Sequence, residues 1–234
     1  MYKSKSILGV ITARSGSKGL PGKNIKSFCG KPLIYWTIKS ALTSRYLDNV
    51  IVSTDSPEIA QISRKSGASV PFIRPKHLAK DNSSSIDVVL HALEFLRKQG
   101  EKYDLVMLLQ PTSPLRMKCD IDDAIKLLFK RSAQAVVSVS PASHSLYWSN
   151  ILPKSECMKN FLRQNIINKR RQSLPVFYTL NGAIYLIYYK NLLKDKAFFG
   201  DKTYAYKMPP ERSFDIDTEI DFKFAEFFKN KVIK

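Results

Sequence analysis

A six-residue run, Ile7 to Thr12, opens into a loop carrying three glycines and three cations, and this junction constrains the chain more than any other feature. I-L-G-V-I-T is mostly apolar, the pattern of a strand covered on both faces. The next residues, A-R-S-G-S-K-G-L-P-G-K-N (Ala13 to Asn24), set Arg14, Lys18 and Lys23 among Gly16, Gly19 and Gly22. Glycine lets backbone amides approach a ligand with no Cβ in the way, and clustered cations favour a polyphosphate. Open α/β sheets place nucleotides where such a strand ends. A plain surface loop with scattered lysines is the competing reading. The Walker loop is excluded by spacing: five residues separate Gly16 from Gly22, and Lys23 is followed by Asn24. G-x-G-x-x-G is absent too, and Pro21 interrupts a direct entry into a helix.

Downstream, strand-like and helix-like patterns alternate. Lys31-Pro32 begins a helical stripe that ends near Ser44, and Asn49 to Ser53 reads as a strand. Pro57 to Ser66 reads as a short helix, and Ala68 to Ile73 as an extended segment. Ser83-Ser84-Ser85 precedes a 3.6-residue stripe from Ile86 to Leu96, with His91 off the stripe and so expected in solvent. Leu105 to Leu109 is a second buried-strand run, Asp120 to Lys130 returns to helix, and Ala135 to Val139 is again strand. Residues 141–180 break the pattern and read as an excursion of extended hairpins. Strand character resumes at Gly182 to Tyr188, and Thr218 opens a last helix whose widely spread apolar residues suggest packing on more than one side. The expected fold is α/β, a doubly wound and mainly parallel sheet in one domain spanning residues 1–234.

The formal charge is +18, with 38 Lys and Arg, yet the basic residues are spread along the chain without a long tract. The densest cluster, Lys169-Arg170-Arg171, lacks an aromatic-basic RNA-binding signature. A nucleic-acid-binding protein is the rival reading from a different class; it predicts steeply salt-dependent binding and leaves the late acidic motif without a purpose. Neither nucleic acid nor a membrane is the expected partner, since no apolar run reaches a membrane span. Three cysteines without metal-ligand spacing and an N-terminus lacking a cleavage site lead us to expect a cytoplasmic protein with reduced thiols.

Four ordered motifs carry a family resemblance: Ala13 to Asn24; L-L-Q-P-T-S-P-L-R (Leu108 to Arg116); N-G-A-I-Y (Asn181 to Tyr185); and D-I-D-T-E-I-D (Asp215 to Asp221). Together they resemble bacterial CMP-sialic acid synthetases, the acylneuraminate cytidylyltransferases, over nearly the whole chain. The resemblance implies transfer of CMP from CTP to a nine-carbon 2-keto sugar acid with release of pyrophosphate. It also implies Mg²⁺ dependence and a homodimer, with 141–180 as the dimerisation arm. The nearest rivals use a related acid such as legionaminic, pseudaminic or 3-deoxy-manno-octulosonic acid.

The resemblance assigns Arg14, Ser17, Lys18 and Lys23 to the triphosphate, with Arg14 and Lys23 catalytic, and Asn24 to the nucleotide and the loop's geometry. It gives Arg74 and Ser85 to base or ribose, although Ser85 equally suits a helix cap. Asp215 and Asp217, two apart and on one face if extended, match a Mg²⁺ site, a role for which paired carboxylates are suited. Asp217 or Thr218 also fits the start of a capping box completed by Asp221. Gln110, Thr112 and Ser113 are given to the sugar acid with Arg116 in support, where P-T-S-P could instead be only a stiff turn. Asn181 matches a sugar-binding position, although Asn-Gly is also a common turn. Arg171 is a guanidinium suited to the substrate carboxylate, or simply a member of a basic run. Thr179 stands where some relatives carry arginine. Phe198 and Phe199 match an aromatic pair that in relatives enters the neighbouring subunit's site, and otherwise suit the core.

Overall fold

A computed structural model describes residues 1–16 and 19–231. Ser17 and Lys18, both assigned to the triphosphate by resemblance, lie outside the described residues. In chain order the elements are β1 (Ile7–Thr12), β2 (Ser27–Phe28), β3 (Lys31–Pro32), α1 (Leu33–Leu42), β4 (Asn49–Ser53), α2 (Pro57–Lys65), α3 (Ser85–Lys98) and β5 (Leu105–Leu109). There follow α4 (Lys118–Lys130), β6 (Ala135–Pro141), β7 (Tyr178–Tyr188), α5 (Tyr189–Asp195), β8 (Thr203–Lys207) and α6 (Glu219–Lys231).

Six strands form one sheet in the order β4-β1-β5-β7-β6-β8, and β2 pairs with β3 separately. Only β7 runs against its neighbours; the pairs β1–β4, β1–β5 and β6–β8 are parallel. The sheet is therefore mainly parallel, as expected. Its two faces carry separate apolar cores. One joins Ile7, Ile11, Met107 and Leu109 to Ile34, Ile38, Ile121 and Ile125 from α1 and α4. The other joins Leu8, Val10, Val106 and Leu108 to Val89, Leu93 and Leu96 of α3. Adjacent residues of β1 and β5 thus face opposite cores, which is why both strands read as unbroken apolar runs.

The excursion leaves along β6 and returns along β7, with Pro141 beside Tyr178, so its base is a β-hairpin. Between residues 142 and 177 the only helical elements are two short 3₁₀ turns, Leu146–Trp148 and Arg171–Ser173. The β6–β7 register shifts between Val137, opposite Tyr185, and Val139, opposite Leu180. This bulge absorbs Asn181, Gly182 and Ala183. N-G-A is thus a kink within a strand, not a turn between strands.

Other expectations need correction. The last helix is not enclosed on several sides: Phe222 and Ala225 are buried, while Ile220, Phe224 and Phe227 remain exposed. His91 is half-buried, its ring edge-on to Phe72 at 4.8 Å, and burial lowers its pKa with help from nearby positive charges. Among the described residues, no helix is long and apolar enough to cross a membrane.

Candidate active site

The parallel strands end together, and the loops beyond them enclose a cleft of about 400 Å³. Arg14, Gly19, Lys23 and Asn24 line it from the loop after β1, and Arg74 and Ser85 from the side of β4 and α3. Gln110 and Thr112 line it from the end of β5, and Asp215 and Asp217 from the segment before α6. Nine of the residues singled out in the sequence therefore share one cavity: Arg14, Lys23, Asn24, Arg74, Ser85, Gln110, Thr112, Asp215 and Asp217.

The glycine loop and the acidic segment meet directly. Lys23 Nζ donates to the carbonyl of Ile216 at 2.8 Å and to Asp217 Oδ1 at 3.0 Å. A Cβ on Gly19 would lie 2.5 Å from the carbonyl oxygen of Asp217, so only glycine permits this approach. Ile216 N in turn donates to the Thr112 carbonyl at 2.9 Å, tying the acidic segment to the loop after β5.

Capping is settled in favour of Thr218. Its hydroxyl accepts from Asp221 N, while Asp221 Oδ2 accepts from the Thr218 amide at 2.8 Å. That reciprocal box leaves the Asp217 carboxylate for Lys23. The Asp217 side chain is 74% exposed, whereas that of Lys23 is only 14% exposed. Asp215 reaches the cleft, yet burial pushes its carboxyl above the ordinary range. A hydrogen bond from Thr112 opposes that rise, the charges of Asp217 and Asp221 add to it, and Lys23 works against it. Similarly, Ser84 rather than Ser85 caps α3, its hydroxyl accepting from Ile86 N at 3.1 Å, so Ser85 faces the cleft without that duty.

Several side chains hold the cation loop. Asn24 Nδ2 donates to the Arg14 carbonyl at 2.9 Å, closing the loop on itself. Arg74 is buried behind β4, donating through Nε to Ser53 Oγ at 3.0 Å and through Nη2 to the Ser53 carbonyl. Burial pushes its pKa down to about 10, with Asp55 opposing and Arg14 adding to the shift. Sequence reasoning missed two acidic residues here. Asp55 accepts from Ser15 N at 2.9 Å and Ser15 Oγ at 2.6 Å. Burial acts to raise its pKa, but these bonds and the charge of Arg74 hold it below the usual range. Asp81 pairs with the Arg14 guanidinium. The signal available was position: Asp55 stands two residues after β4, and K-D-N-S directly precedes the α3 cap.

The other predicted residues among those described do not line the cleft. Ser113 is fully buried, its hydroxyl donating to the Asn181 carbonyl at 3.4 Å. The Asn181 amide is engaged throughout: Oδ1 accepts from Ser138 Oγ and Ala183 N, and Nδ2 donates to Ser213 Oγ and the Met208 sulfur. Asn181 therefore shapes the bulge, which brings Gly182 against the site. A Cβ there would lie 2.4 Å from Gln110 Oε1 and 3.4 Å from Asp215 Oδ2. Arg171 is exposed on the excursion and donates to the Ser143 carbonyl at 2.7 Å. Phe198 is a core residue packed on Tyr185, ring centres 5.2 Å apart, so of the aromatic pair only Phe199 is on the surface.

Comparison with known proteins agrees with this geometry. A family profile described as cytidylyltransferase matches residues 8–233. The chain is 38% identical to the CMP-N,N'-diacetyllegionaminic acid synthase of Legionella pneumophila, covering 94% of each chain. It is 37% identical to the N-acylneuraminate cytidylyltransferase of Escherichia coli, covering 96% of this chain and 52% of that one. It shares its fold with a solved CMP:2-keto-3-deoxy-manno-octonic acid synthetase (TM-score 0.69, 16% identity, 97% and 99% coverage). Sheet order, the cleft beyond the strand ends and these relationships lead to one assignment: the chain belongs to the cytidylyltransferase family.

Proposed function

We propose that this chain transfers CMP from CTP to the anomeric hydroxyl of a nine-carbon 2-keto sugar acid. The hydroxyl oxygen forms the new bond to the α-phosphorus as the bond to the β-phosphate oxygen breaks, and pyrophosphate leaves. The observation carrying this reading is the meeting of Arg14 and Lys23 with Asp215 and Asp217 in one cleft. Phosphoryl transfer asks a protein mainly for charge neutralisation and in-line positioning, and those cations supply the first. Gln110 and Thr112, on the same wall as Asp215, form the side available to the sugar acid.

The paired carboxylates fit a hard divalent cation, because burial and mutual repulsion leave Asp215 short of positive charge. Among the described residues, no three His, Cys, Asp or Glu side chains cluster around one point, so further ligands would be phosphate oxygens and water. Bound there, Mg²⁺ would offset charge on the triphosphate.

The quoted motifs resemble the sialate branch rather than the octulosonate or pseudaminate relatives, which supports an N-acylneuraminate as the acid but does not separate it from legionaminate. A second reading, N,N'-diacetyllegionaminate, is favoured by the 38% identity to the Legionella enzyme. Pyrophosphate release from CTP, compared as kcat/KM across neuraminate, legionaminate, pseudaminate and octulosonate substrates, decides between them. Failure with all four, with Mg²⁺ present, would sink the proposal.

The same reading makes residues 141–180 a dimerisation arm. Its exposed apolar residues support this, Ile151 at 90% exposure and Val176 at 66% among them. Light scattering on the purified chain should give twice the mass of 26.7 kDa. A monomer at micromolar concentration would exclude the arm's proposed role.

A further inference from the structure

α6 is held to the rest of the protein on one side only. Phe222 and Ala225 are buried with Phe28 and Leu33, and Phe228 leans on Phe214 with ring centres 4.8 Å apart. Ile220, Phe224 and Phe227 stand on another face, each more than half exposed. With Lys223 they line an open groove of about 440 Å³. Positions 220, 224, 227 and 231 follow the i, i+4, i+7, i+11 spacing of one helical stripe, so the exposed Lys231 continues the apolar row. Two phenylalanines and an isoleucine kept in water along one stripe contribute nothing to packing within the chain, and such a row marks a contact surface.

The charges of the helix are sorted between its faces. Each acid already has a partner: Glu219 Oε2 accepts from Lys26 Nζ at 2.9 Å, Asp221 Oδ2 from the Thr218 amide at 2.8 Å, and Glu226 Oε1 from Cys29 N at 2.8 Å. Lys223 and Lys231 have no ion pair among the described residues. The outward face is therefore apolar and cationic, on a chain whose formal charge is +18. It complements a surface that is anionic at the water boundary and apolar just beneath. A second copy of the chain fits less well. Thirteen helical residues span about 20 Å, and a face about 10 Å wide gives about 200 Å², against about 800 Å² per partner in a stable dimer. A second copy would also bring the same cations to the contact. No described helix is long and apolar enough to cross a bilayer, but lying on one asks only for a stripe of this kind.

We propose that the outer face of α6 docks on an anionic lipid surface, with Phe224 and Phe227 seated among the acyl chains and Lys223 and Lys231 on the headgroup phosphates. The test is co-sedimentation of the full chain, in about 0.1 M salt, with vesicles of phosphatidylglycerol and phosphatidylcholine in equal parts or of phosphatidylcholine alone. Wild type should partition to the anionic vesicles and stay in solution with the neutral ones. Phe224→Ser/Phe227→Ser should lower the partition coefficient about 10-fold or more, and Lys223→Gln/Lys231→Gln about 10-fold. All four side chains are exposed, so both variants should melt as wild type does. Wild type that ignores the anionic vesicles would overturn the proposal. So would equal binding by the phenylalanine variant, which leaves only diffuse attraction by the whole charge, or loss of its cooperative melting, which makes the stripe part of the fold. A lipid-free dimer split by the phenylalanine substitutions would give the face to a second copy instead.

Discussion

Lys23 Nζ lies 3.0 Å from Asp217 Oδ1, a contact between residues 194 positions apart. The cation of the first loop thereby neutralises an acid from the far end of the chain. Removing it should disturb catalysis more than folding. A charge-assisted hydrogen bond contributes about 1.5–3 kcal/mol, so Lys23→Ala or Arg14→Ala should lower kcat about 10- to 150-fold. Lys65→Ala, an exposed position on α2, should leave pyrophosphate release within about 2-fold of wild type. Equal losses in all three variants would remove the loop's special role.

Asp215 should trade stability for activity. Its folded pKa is raised, so the fold favours the neutral carboxyl and ionisation at higher pH lowers stability. Asp215→Asn should therefore melt about 1–3 °C higher than wild type at pH 7 without added metal. That gap should close below about pH 4, where an ordinary Asp is protonated in the unfolded chain as well. Turnover should be lost in the same variant. A lower melting temperature at pH 7 would contradict the shift.

Asn181→Ala should act first on stability. It takes the side-chain acceptor from the buried Ala183 amide and one partner each from the Ser138 and Ser213 hydroxyls, which keep their bonds to Ile184 and to the Pro209 carbonyl. The expected loss is about 2–4 kcal/mol, read from the urea midpoint. An unchanged midpoint with a raised sugar-acid KM would restore Asn181 to the role that resemblance gave it.

Gly19→Ala should part the two halves of the site. The new methyl would meet the Asp217 carbonyl at 2.5 Å, which forces either the loop or the acidic segment to withdraw. kcat/KM for CTP should fall about 10- to 100-fold while cooperative melting is kept. Full activity would mean that this approach is not needed in the working enzyme.

The parts of the molecule legible in the sequence were those where burial forces a pattern. Asn49–Ser53 and Leu105–Leu109 are covered on both faces, and both strands were delimited to the residue. β8 escaped notice because T-Y-A-Y-K is a largely exposed edge strand without apolar alternation, and α5 because it is only seven residues long. At the site, the i, i+2 spacing puts Asp215 and Asp217 on one face of an extended segment, and the family resemblance adds the reading of a metal pair over a helix cap. Their meeting with Lys23 depends on the whole sheet, and no local pattern carries it. The bulge was hidden for a related reason: Asn-Gly suits a turn locally, and only pairing with β6 makes it a kink. Phe198 was claimed by the core through its packing on Tyr185, a long-range fact as well.

Pro141 and Tyr178 lie side by side at the base of the long insertion. Whatever happens in the 36 residues between them, the two ends enter and leave the sheet at the same point, and lengthening such a loop adds little entropic cost. Descendants of this scaffold are thus free to rewrite that segment while the sheet that frames the cleft is inherited intact.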